Sequence, residues 1–415
     1  MYFSFTASDS VRNVLPNQMA FQRLWDNLTR KKPTEVWLSD SPLRRCLTLI
    51  DLTSIGVGTV VAAGLYVVAG ELARDVAGPS VVLSFLLASF AGLLCVFSYA
   101  EFGCRIPKAG SAYIYTYVTL GEIWAFIVGW TIVLEYIIGA ASLARACSEY
   151  IDTIFQGEIY HFFMHDIVSW DHAGIAPFPD LLAAAIVVAV MTLVLLGVRS
   201  SVNVQKVVTV GNFIVISFMI IYGLFFANFE NWTLEFAPYG VQGILRGDAS
   251  AFFAFSGFDV VTTAAEEAIY PQRNIPLSLI LTITISTIAY LGVTAVLTLM
   301  LPYHELDPFA PLAKAFSHGG NFPAAEYIIA CGGICATISS LVAVVFSPSR
   351  IVYSMSVDGL VFRWFSLVND KTHSPTRATV IAGCFSAVLA LTFDLNQLVS
   401  YKVYLVQLDA GLLSG

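Results

Sequence analysis

Apolar runs of about membrane-spanning length recur along this chain of 415 residues. A helix needs roughly 20 consecutive, mainly apolar residues to cross a bilayer. Such runs lie at 47–69, 79–101, 111–145, 180–198, 205–228, 248–268, 277–301, 323–347 and 377–394, and a weaker tenth candidate lies at 395–415. Charged residues make up only 12% of the chain, against roughly 25% in soluble domains. The pattern predicts an all-α, polytopic membrane protein.

The rest of the composition narrows the class of protein. The formal net charge is -8, and the Lys and Arg residues form no strong basic patch, which argues against nucleic-acid binding. The seven cysteines are scattered, and the six histidines lack metal-ligand spacing. GxSxG, GxxxxGK and HExxH motifs are absent from the sequence. We therefore expect no enzyme activity, no cofactor and no metal, and we predict small solutes and the lipid bilayer as partners.

Basic residues set the predicted orientation, because basic loops resist translocation. With the N-terminus in the cytosol, 16 of the 21 Lys and Arg residues fall on the cytosolic side, a count that places Arg350 in a loop after the eighth run. Residues 21–28 carry apolar side chains at i, i+3, i+4 and i+7 beside three basic residues. Residues 1–46 are therefore predicted to form a cytosolic arm with an interfacial helix.

Two of the runs contain residues that disfavour a continuous helix. In the first run, Gly56, Gly58 and Gly64 stand with two alanines inside nine positions, which lowers helix propensity in the middle of the bilayer. From this run alone, a broken helix and close helix packing through small residues remain open alternatives. The sixth run places a Ser-Gly pair and Asp259 at the same depth. Corresponding interruptions in two halves favour a binding site at broken helices in an inverted-repeat transporter.

The ends of broken helices predict a ligand. A half-helix that begins near 62–64 presents free N–H groups and the positive end of its dipole to a carboxylate. Unwound carbonyl groups around Ile55 and around 254–256 can accept hydrogen bonds from an ammonium group. The two demands together describe a zwitterionic amino acid.

Five collinear motifs carry a resemblance to a known family. They are Gly56 to Tyr66, Tyr99 to Tyr113, Gly121 to Trp130, Gly257 to Pro276 and Arg350 to Asp370. These segments resemble the cationic amino acid transporters of the amino acid-polyamine-organocation superfamily, over about residues 43–400. The resemblance implies a five-plus-five inverted-repeat core, with spans 1–5 at 47–229 and spans 6–9 with the start of a tenth at 248–400. Residues 401–415 are expected to diverge, so that the second repeat is incomplete.

The resemblance also implies the substrates and the site residues. The substrates would be the cationic amino acids arginine, lysine and ornithine, moved by alternating access. The implied substrate-binding residues are Ile55, Gly56, Thr59, Ala62, Ala63 and Gly64 in the first span and Phe253, Ala254, Phe255 and Ser256 in the sixth, with an aromatic gate among the latter. Proton-coupled relatives carry a lysine near the position of Asn212. Because Asn212 cannot titrate, we predict facilitated movement driven by the membrane potential.

Two acidic residues lie within the predicted spans. Glu135 lies deep in the third run, where an ionised carboxylate is costly unless it faces a cavity or a partner. We predict that Glu135 lies near the ammonium or the side chain of the substrate, with a structural hydrogen bond as the alternative. Asp259 follows the break in the sixth run and is predicted to hold the broken helix.

Three further acidic residues lie at the predicted cytosolic ends of spans. Glu101 is expected to form either a gate latch or a helix-end ion pair with Arg105. Glu266 and Glu267 are expected to make cytosolic-gate or loop contacts with Arg273 or Arg105.

Other interpretations of the chain remain open at this point. It could be a neutral amino acid permease, or a truncated, non-transporting form that regulates a full-length transporter. A disulfide-linked heavy chain is not expected, because residues 148–179 contain no cysteine. The predicted location is the plasma membrane, with the N-terminus in the cytosol.

Overall fold

The computed structural model describes residues 29–32, 42–62, 64–162, 176, 178–306, 311–316, 324–395 and 397–401. Within these residues, five helices are long and apolar enough to cross a membrane, and a bent pair of helices makes a sixth candidate. Two shorter apolar helices accompany them. The described part of the chain contains no strand, only one isolated bridge between Leu47 and Ala268. The prediction of an all-α, multi-pass membrane protein is confirmed.

The α-helices are numbered here in chain order. They are α1 (Leu49–Val60), α2 (Ala69–Asp75), α3 (Val81–Arg105), α4 (Ala112–Thr119), α5 (Glu122–Ile154), α6 (Glu158–Phe162), α7 (Leu181–Leu195), α8 (Val198–Phe225), α9 (Glu230–Leu234), α10 (Gly240–Ala254), α11 (Val260–Thr263), α12 (Pro271–Met300), α13 (Pro311–Lys314), α14 (Ala325–Val357) and α15 (Thr376–Thr392). A π-helical turn, Gly64–Val68, precedes α2, and 3₁₀ turns lie at Gly78–Ser80, Ala265–Glu267, Tyr303–Glu305 and Arg363–Ser366.

The third predicted span, 111–145, is not one helix, and that boundary was wrong. The chain forms α4, breaks at Gly121, and then continues as α5. Gly121 has a φ of 114°, and a Cβ atom there would lie 2.7 Å from the carbonyl oxygen of Thr29. Both sides of the break are apolar, so hydropathy alone did not separate them. Only glycine fits this turn without strain.

The fourth and fifth apolar runs, 180–198 and 205–228, leave a gap at 199–204 that is predicted to be a loop, and this prediction is also wrong. Helix α8 begins at Val198, so that only Leu196 and Gly197 separate it from α7. At the other end of α7, the Asp180 carboxylate accepts a hydrogen bond of 2.8 Å from the backbone N–H of Ala183. Charged residues mark where a span leaves the bilayer, but the helix continues beyond that point.

The same cause explains the largest boundary error, at the eighth span. Helix α14 continues to Val357, ten residues past the predicted end at 347, and includes Pro348. Arg350 therefore lies on a helix and is fully buried, with 0% of its surface exposed. Its predicted place in a cytosolic loop is wrong, because a buried carboxylate on another element holds it inside the protein.

The described helices pack around α1 and the sixth span. Helix α14 packs on α5, α8 and α1, and α12 packs on α3 and α1. The sixth span begins with α10 at Gly240, eight residues before the predicted start. The predicted interfacial helix at 21–28 and the chain end at 402–415 lie outside the described residues. The five-plus-five division and its boundaries remain a prediction.

Candidate site at the two broken helices

The first span is broken, as one of the two alternatives predicted. Helix α1 ends at Val60, the π-helical turn begins at Gly64, and the two parts are bent by 42°. The glycines also fit the other predicted alternative, which is close helix packing through small residues. A Cβ atom on Gly56 would lie 2.3 Å from Thr282 Oγ1, and one on Gly58 would lie 2.2 Å from Ser339 Oγ. The small residues of this span therefore permit both a break and close contact with α12 and α14.

The sixth span is broken as well, which confirms the prediction. Helix α10 ends at Ala254, Gly257 adopts a φ of 106°, and α11 starts at Val260. The two breaks lie against each other. A Cβ atom on Gly64 would lie 3.1 Å from the Ala254 Cβ, and one on Gly257 would lie 2.9 Å from the Thr59 Cγ2.

Three carbonyl groups near the end of α1 accept hydrogen bonds from side chains of three other helices. Ser340 on α14 donates to the Thr59 carbonyl at 3.4 Å. Tyr290 on α12 donates to the Val60 carbonyl at 3.0 Å. The last carbonyls of a helix have no partner within the helix itself. The surrounding helices supply the missing partners, and each donor is an uncharged side chain.

Asn212 on α8 is the third donor, and it is buried. Its Nδ2 atom donates to the carbonyl of Val61 at 3.2 Å, and its Oδ1 atom accepts from the Tyr66 hydroxyl at 2.5 Å. Asn212 therefore joins the two halves of the broken first span. Sequence reasoning identified this position by its lack of a lysine and missed its role as a cap.

An aromatic group packs beside the two breaks. The Tyr290 ring stacks on Phe85, with centroids 4.8 Å apart and an interplanar angle of 13°. The Phe255 ring lies 5.1 Å from that of Tyr290, and Phe255 is only 1% exposed. Phe255 was predicted to belong to the pocket and its gate, and here it is part of the buried packing. Sequence reasoning missed Tyr290, because one tyrosine in an apolar run carries no distinguishing signal.

The structure brings most of the predicted binding residues to the two breaks. Ile55, Gly56, Thr59, Ala62 and Ala254 are buried there, Gly64, Phe253 and Ser256 are half-buried, and Ala63 lies outside the described residues. The Thr59 hydroxyl donates to the Ile55 carbonyl at 2.7 Å. That carbonyl was predicted to be unwound and to face an ammonium, but it lies inside α1, where the backbone N–H of Thr59 is its ordinary helical donor. Both of its lone pairs are therefore used, and this part of the prediction is wrong.

The two acidic residues of the spans lie next to the second break. The Tyr136 hydroxyl on α5 donates to Asp259 Oδ2 at 2.5 Å. Glu135 precedes Tyr136, is half-buried, and interacts electrostatically with Tyr99. The Tyr99 ring in turn packs edge-on against Phe258, with centroids 5.3 Å apart. Helix α5 therefore reaches the second break through Tyr136, and the role of Glu135 towards the substrate remains a prediction.

One buried and one partly buried ion pair hold the ends of the spans that are predicted to face the cytosol. Arg350 pairs with Glu267 at 3.1 Å, and both side chains are at most 1% exposed. Lys108 lies 3.4 Å from Glu266, which also accepts from the backbone N–H of Ala109 at 3.1 Å. The predicted partners of the two glutamates, Arg273 and Arg105, were wrong, because α14 carries Arg350 inward and the loop after α3 carries Lys108 to Glu266.

Glu101, by contrast, forms the helix-end pair predicted as one alternative. Its carboxylate lies 2.8 Å from Arg105, and the two side chains are 61% and 74% exposed. The pair lies on the surface of α3.

Backbone hydrogen bonds join the start of the first broken span to the end of the sixth. The N–H groups of Cys46 and Leu47 donate to the Glu267 carbonyl at 2.9 and 3.0 Å, and the Ile269 N–H donates to the Leu47 carbonyl at 2.8 Å. Burial raises the pKa of the Cys46 thiol, and the neighbouring Glu267 charge raises it further. These backbone contacts hold the first and sixth spans together at this end, which we call the closed end of the bundle.

The geometry thus defines a multi-pass helical membrane protein in which two broken helices meet inside the bundle. A family model described as amino acid permease matches residues 47–413. The chain belongs to the amino acid permease family. Within the described residues, no group of three or more His, Cys, Asp or Glu could hold a metal ion.

The most informative comparisons are with curated relatives. Human and mouse proteins named "Cationic amino acid transporter 4" are each 44% identical to this chain over 390 residues, which is 93% of the chain and 61% of the relative. An Arabidopsis thaliana protein named "Cationic amino acid transporter 3, mitochondrial" is 37% identical over 362 residues, or 86% of the chain and 59% of the relative. The predicted resemblance to these transporters is confirmed. The chain spans about three fifths of the length of these relatives.

Proposed function

We propose that the protein moves cationic amino acids such as arginine, lysine and ornithine across a membrane by alternating access. The observation that carries the proposal is the contact between the two broken helices, at Gly64 with Ala254 and at Thr59 with Gly257. The names of the relatives, all cationic amino acid transporters, support the substrate class. The outer half of the first span offers N–H groups to a carboxylate, and the ends of α1 and α10 offer carbonyls to an ammonium.

The side chain of the substrate would be selected by a carboxylate beside the second break. Glu135 is the candidate, because it lies one residue from Tyr136, which holds Asp259. We expect Glu135→Gln to reduce arginine uptake about tenfold or more while leucine binding stays unchanged, since only the cationic side chain needs the charge. Glu101→Gln, in an exposed pair, is the matched control. Wild-type arginine uptake in Glu135→Gln at equal membrane abundance would reject this role.

The transport mode is proposed to be facilitated and driven by the membrane potential. A neutral amide, Asn212, occupies the position at which proton-coupled relatives carry a lysine. One charge moving through 100 mV gains about 2.3 kcal/mol, so a negative interior would accumulate arginine without a coupled ion.

Uptake of labelled arginine and leucine into proteoliposomes tests both parts of this proposal. We expect arginine accumulation under an imposed negative interior potential and none under a pH gradient alone. Accumulation under the pH gradient alone would contradict the mode, and preference for leucine would favour a neutral amino acid permease. No uptake by this chain, together with altered uptake by a co-reconstituted full-length relative, would favour the regulatory alternative.

The buried pair Glu267–Arg350 and the partly buried pair Glu266–Lys108 are proposed to keep the predicted cytosolic side closed in this conformation. They lie beside the backbone contacts that join Leu47 to Ile269. Opening this side would require the pairs to separate. The plasma membrane remains the proposed location, and surface biotinylation tests it.

A further inference from the structure

One tyrosine hydroxyl lies between the ends of both broken helices. Tyr290 Oη is 3.0 Å from the carbonyl oxygen of Val60, near the end of α1, and 3.2 Å from that of Ala254, the last residue of α10. Tyr290 is fully buried, and Phe85 stacks on its ring. The Tyr290 ring is therefore carried by α12 and stacked on α3, and Phe255 of the sixth span packs beside it.

The single hydroxyl proton of Tyr290 faces two carbonyl acceptors, those of Val60 and Ala254. A tyrosine hydroxyl has one proton to donate, so it can serve only one of the two carbonyls at a time. Both carbonyls belong to the C-terminal ends of half-helices, which carry partial negative charge. Among the described residues, three oxygen atoms thus converge on one proton, and a buried acceptor without a donor is costly.

A primary ammonium group would resolve this shortage. It brings several N–H donors and a positive charge, and it can donate to the carbonyl that Tyr290 leaves free and to the lone pairs of Tyr290 Oη. The geometry points to Tyr290 as the positioning residue that holds the ends of α1 and α10 at the spacing of an α-ammonium group. This inference rests on the proposed function only in that the substrate is an amino acid, because cationic and neutral amino acids share the α-ammonium.

Gly64 adds an independent reason for this assignment. A Cβ atom there would lie 2.5 Å from the Tyr290 hydroxyl. The start of the outer half of the first span, which is proposed to face the carboxylate, therefore lies against the same hydroxyl. Tyr290 would set the distance between the two charged ends of the substrate backbone.

The test compares Tyr290→Phe, which keeps the ring stack and removes the hydroxyl, with the wild type. Labelled L-arginine uptake into proteoliposomes is competed with Nα,Nα-dimethyl-L-arginine, which has fewer N–H donors, and with agmatine, which has no carboxylate. We expect the wild type to favour L-arginine over the dimethyl compound about tenfold or more. In Tyr290→Phe, KM should rise about tenfold and that preference should fall below about threefold, while the preference over agmatine is unchanged.

Tyr117→Phe is the matched control, because it removes another buried hydroxyl, one that donates to Glu122 at 2.9 Å and lies between α4 and α5. It should keep the wild-type KM and preferences. An unchanged KM and preference in Tyr290→Phe would overturn the inference. A lower maximal rate with the preference retained would also overturn it, since that result indicates a purely structural hydroxyl.

Two measurements need no folded variant. If the wild type accepts the dimethyl compound as well as L-arginine, the inference is wrong even when Tyr290→Phe does not reach the membrane. If the wild type takes up leucine and not arginine, the cationic substrate proposal fails, and the same comparison is made with L-leucine and its Nα,Nα-dimethyl form. A preference of about tenfold or more for L-leucine would then support the assignment.

Discussion

The breaks in the middle of the bundle and the closed end of the bundle both contain buried polar groups that need partners. The two regions supply these partners with different chemistry. At the breaks, free backbone carbonyls accept from a hydroxyl or an amide, such as Tyr290 and Asn212. At the closed end, full charges are paired, as in Glu267 with Arg350, and both are buried. Neutral caps leave room for a charged substrate to compete, whereas buried ion pairs hold a fixed contact.

The difference suggests separate energetic roles. Neutral hydrogen bonds contribute about 0.5–1.5 kcal/mol each, which a substrate ammonium can replace. Removing one member of a buried ion pair costs about 3–5 kcal/mol, because the other charge remains in a dry interior. Glu267 Oε2 and Arg350 Nε have no hydrogen-bond partner among the described residues, so these two atoms provide no other hydrogen bond that could compensate when the pair is broken. Four substitutions can break or sharpen the comparison.

The largest effect is expected at the closed end. Glu267→Gln leaves the Arg350 guanidinium, whose centre lies 3.5 Å from the Phe346 ring centroid, buried without a countercharge. We expect a loss of about 3–5 kcal/mol in folding free energy, seen as a lower melting temperature of the purified protein. The double variant Glu267→Leu/Arg350→Met should recover most of it. A loss below about 1 kcal/mol in the single variant would contradict the assignment of this pair.

A smaller effect is expected from filling the packed face of the first span. Gly58→Ala places a Cβ atom 2.2 Å from Ser339 Oγ and 2.8 Å from Thr209 Oγ1. We expect a destabilisation of about 1–3 kcal/mol by overpacking. Gly92→Ala in α3 is the matched control, because its Cβ would meet Ile283 at 3.9 Å, an ordinary contact. Equal melting temperatures for the two variants would show that α1 is not tightly packed there.

The loss of a neutral cap should cost less than the loss of a buried charge. Asn212→Ala removes the donor to the Val61 carbonyl and the acceptor for Tyr66. We expect a cost of about 1–2 kcal/mol, together with a weaker arginine response, because the ends of the break are no longer joined. The readout is thermal stability measured with and without L-arginine. A cost equal to that of Glu267→Gln would remove the contrast between the two regions.

The smallest effect is expected at the exposed pair on α3. Glu101→Gln breaks the contact with Arg105, but water screens both groups. We expect a change below about 1 kcal/mol in folding free energy, and wild-type uptake. The same Glu-to-Gln change thus tests burial directly at two sites. A loss comparable to that of Glu267→Gln would show that the exposed pair has a role that its geometry does not indicate.

The sequence predicted the helical class, the two breaks and most of the residues that line them. Hydropathy and small-residue patterns report local properties, and both breaks are local. The ends of helices were less well predicted, because α14 and α8 continue past the apolar stretch that marks the bilayer. Arg350, the partner of Glu267, was missed for the same reason, whereas Lys108 reaches Glu266 from the loop after α3. The positioning role of Tyr290 and the capping role of Asn212 depend on which helices pack together. A single sequence does not reveal that packing.

The central claim is that an amino acid binds between the two breaks. The most direct test is substrate protection of a cysteine at Ser256, which is half-buried at the second break. Ser256→Cys is labelled with a small maleimide, and peptide mass spectrometry separates this position from the seven native cysteines. We predict that L-arginine slows labelling of position 256 several-fold, while agmatine and glucose do not. Labelling that is unaffected by L-arginine, in protein that still takes it up, would contradict the claim.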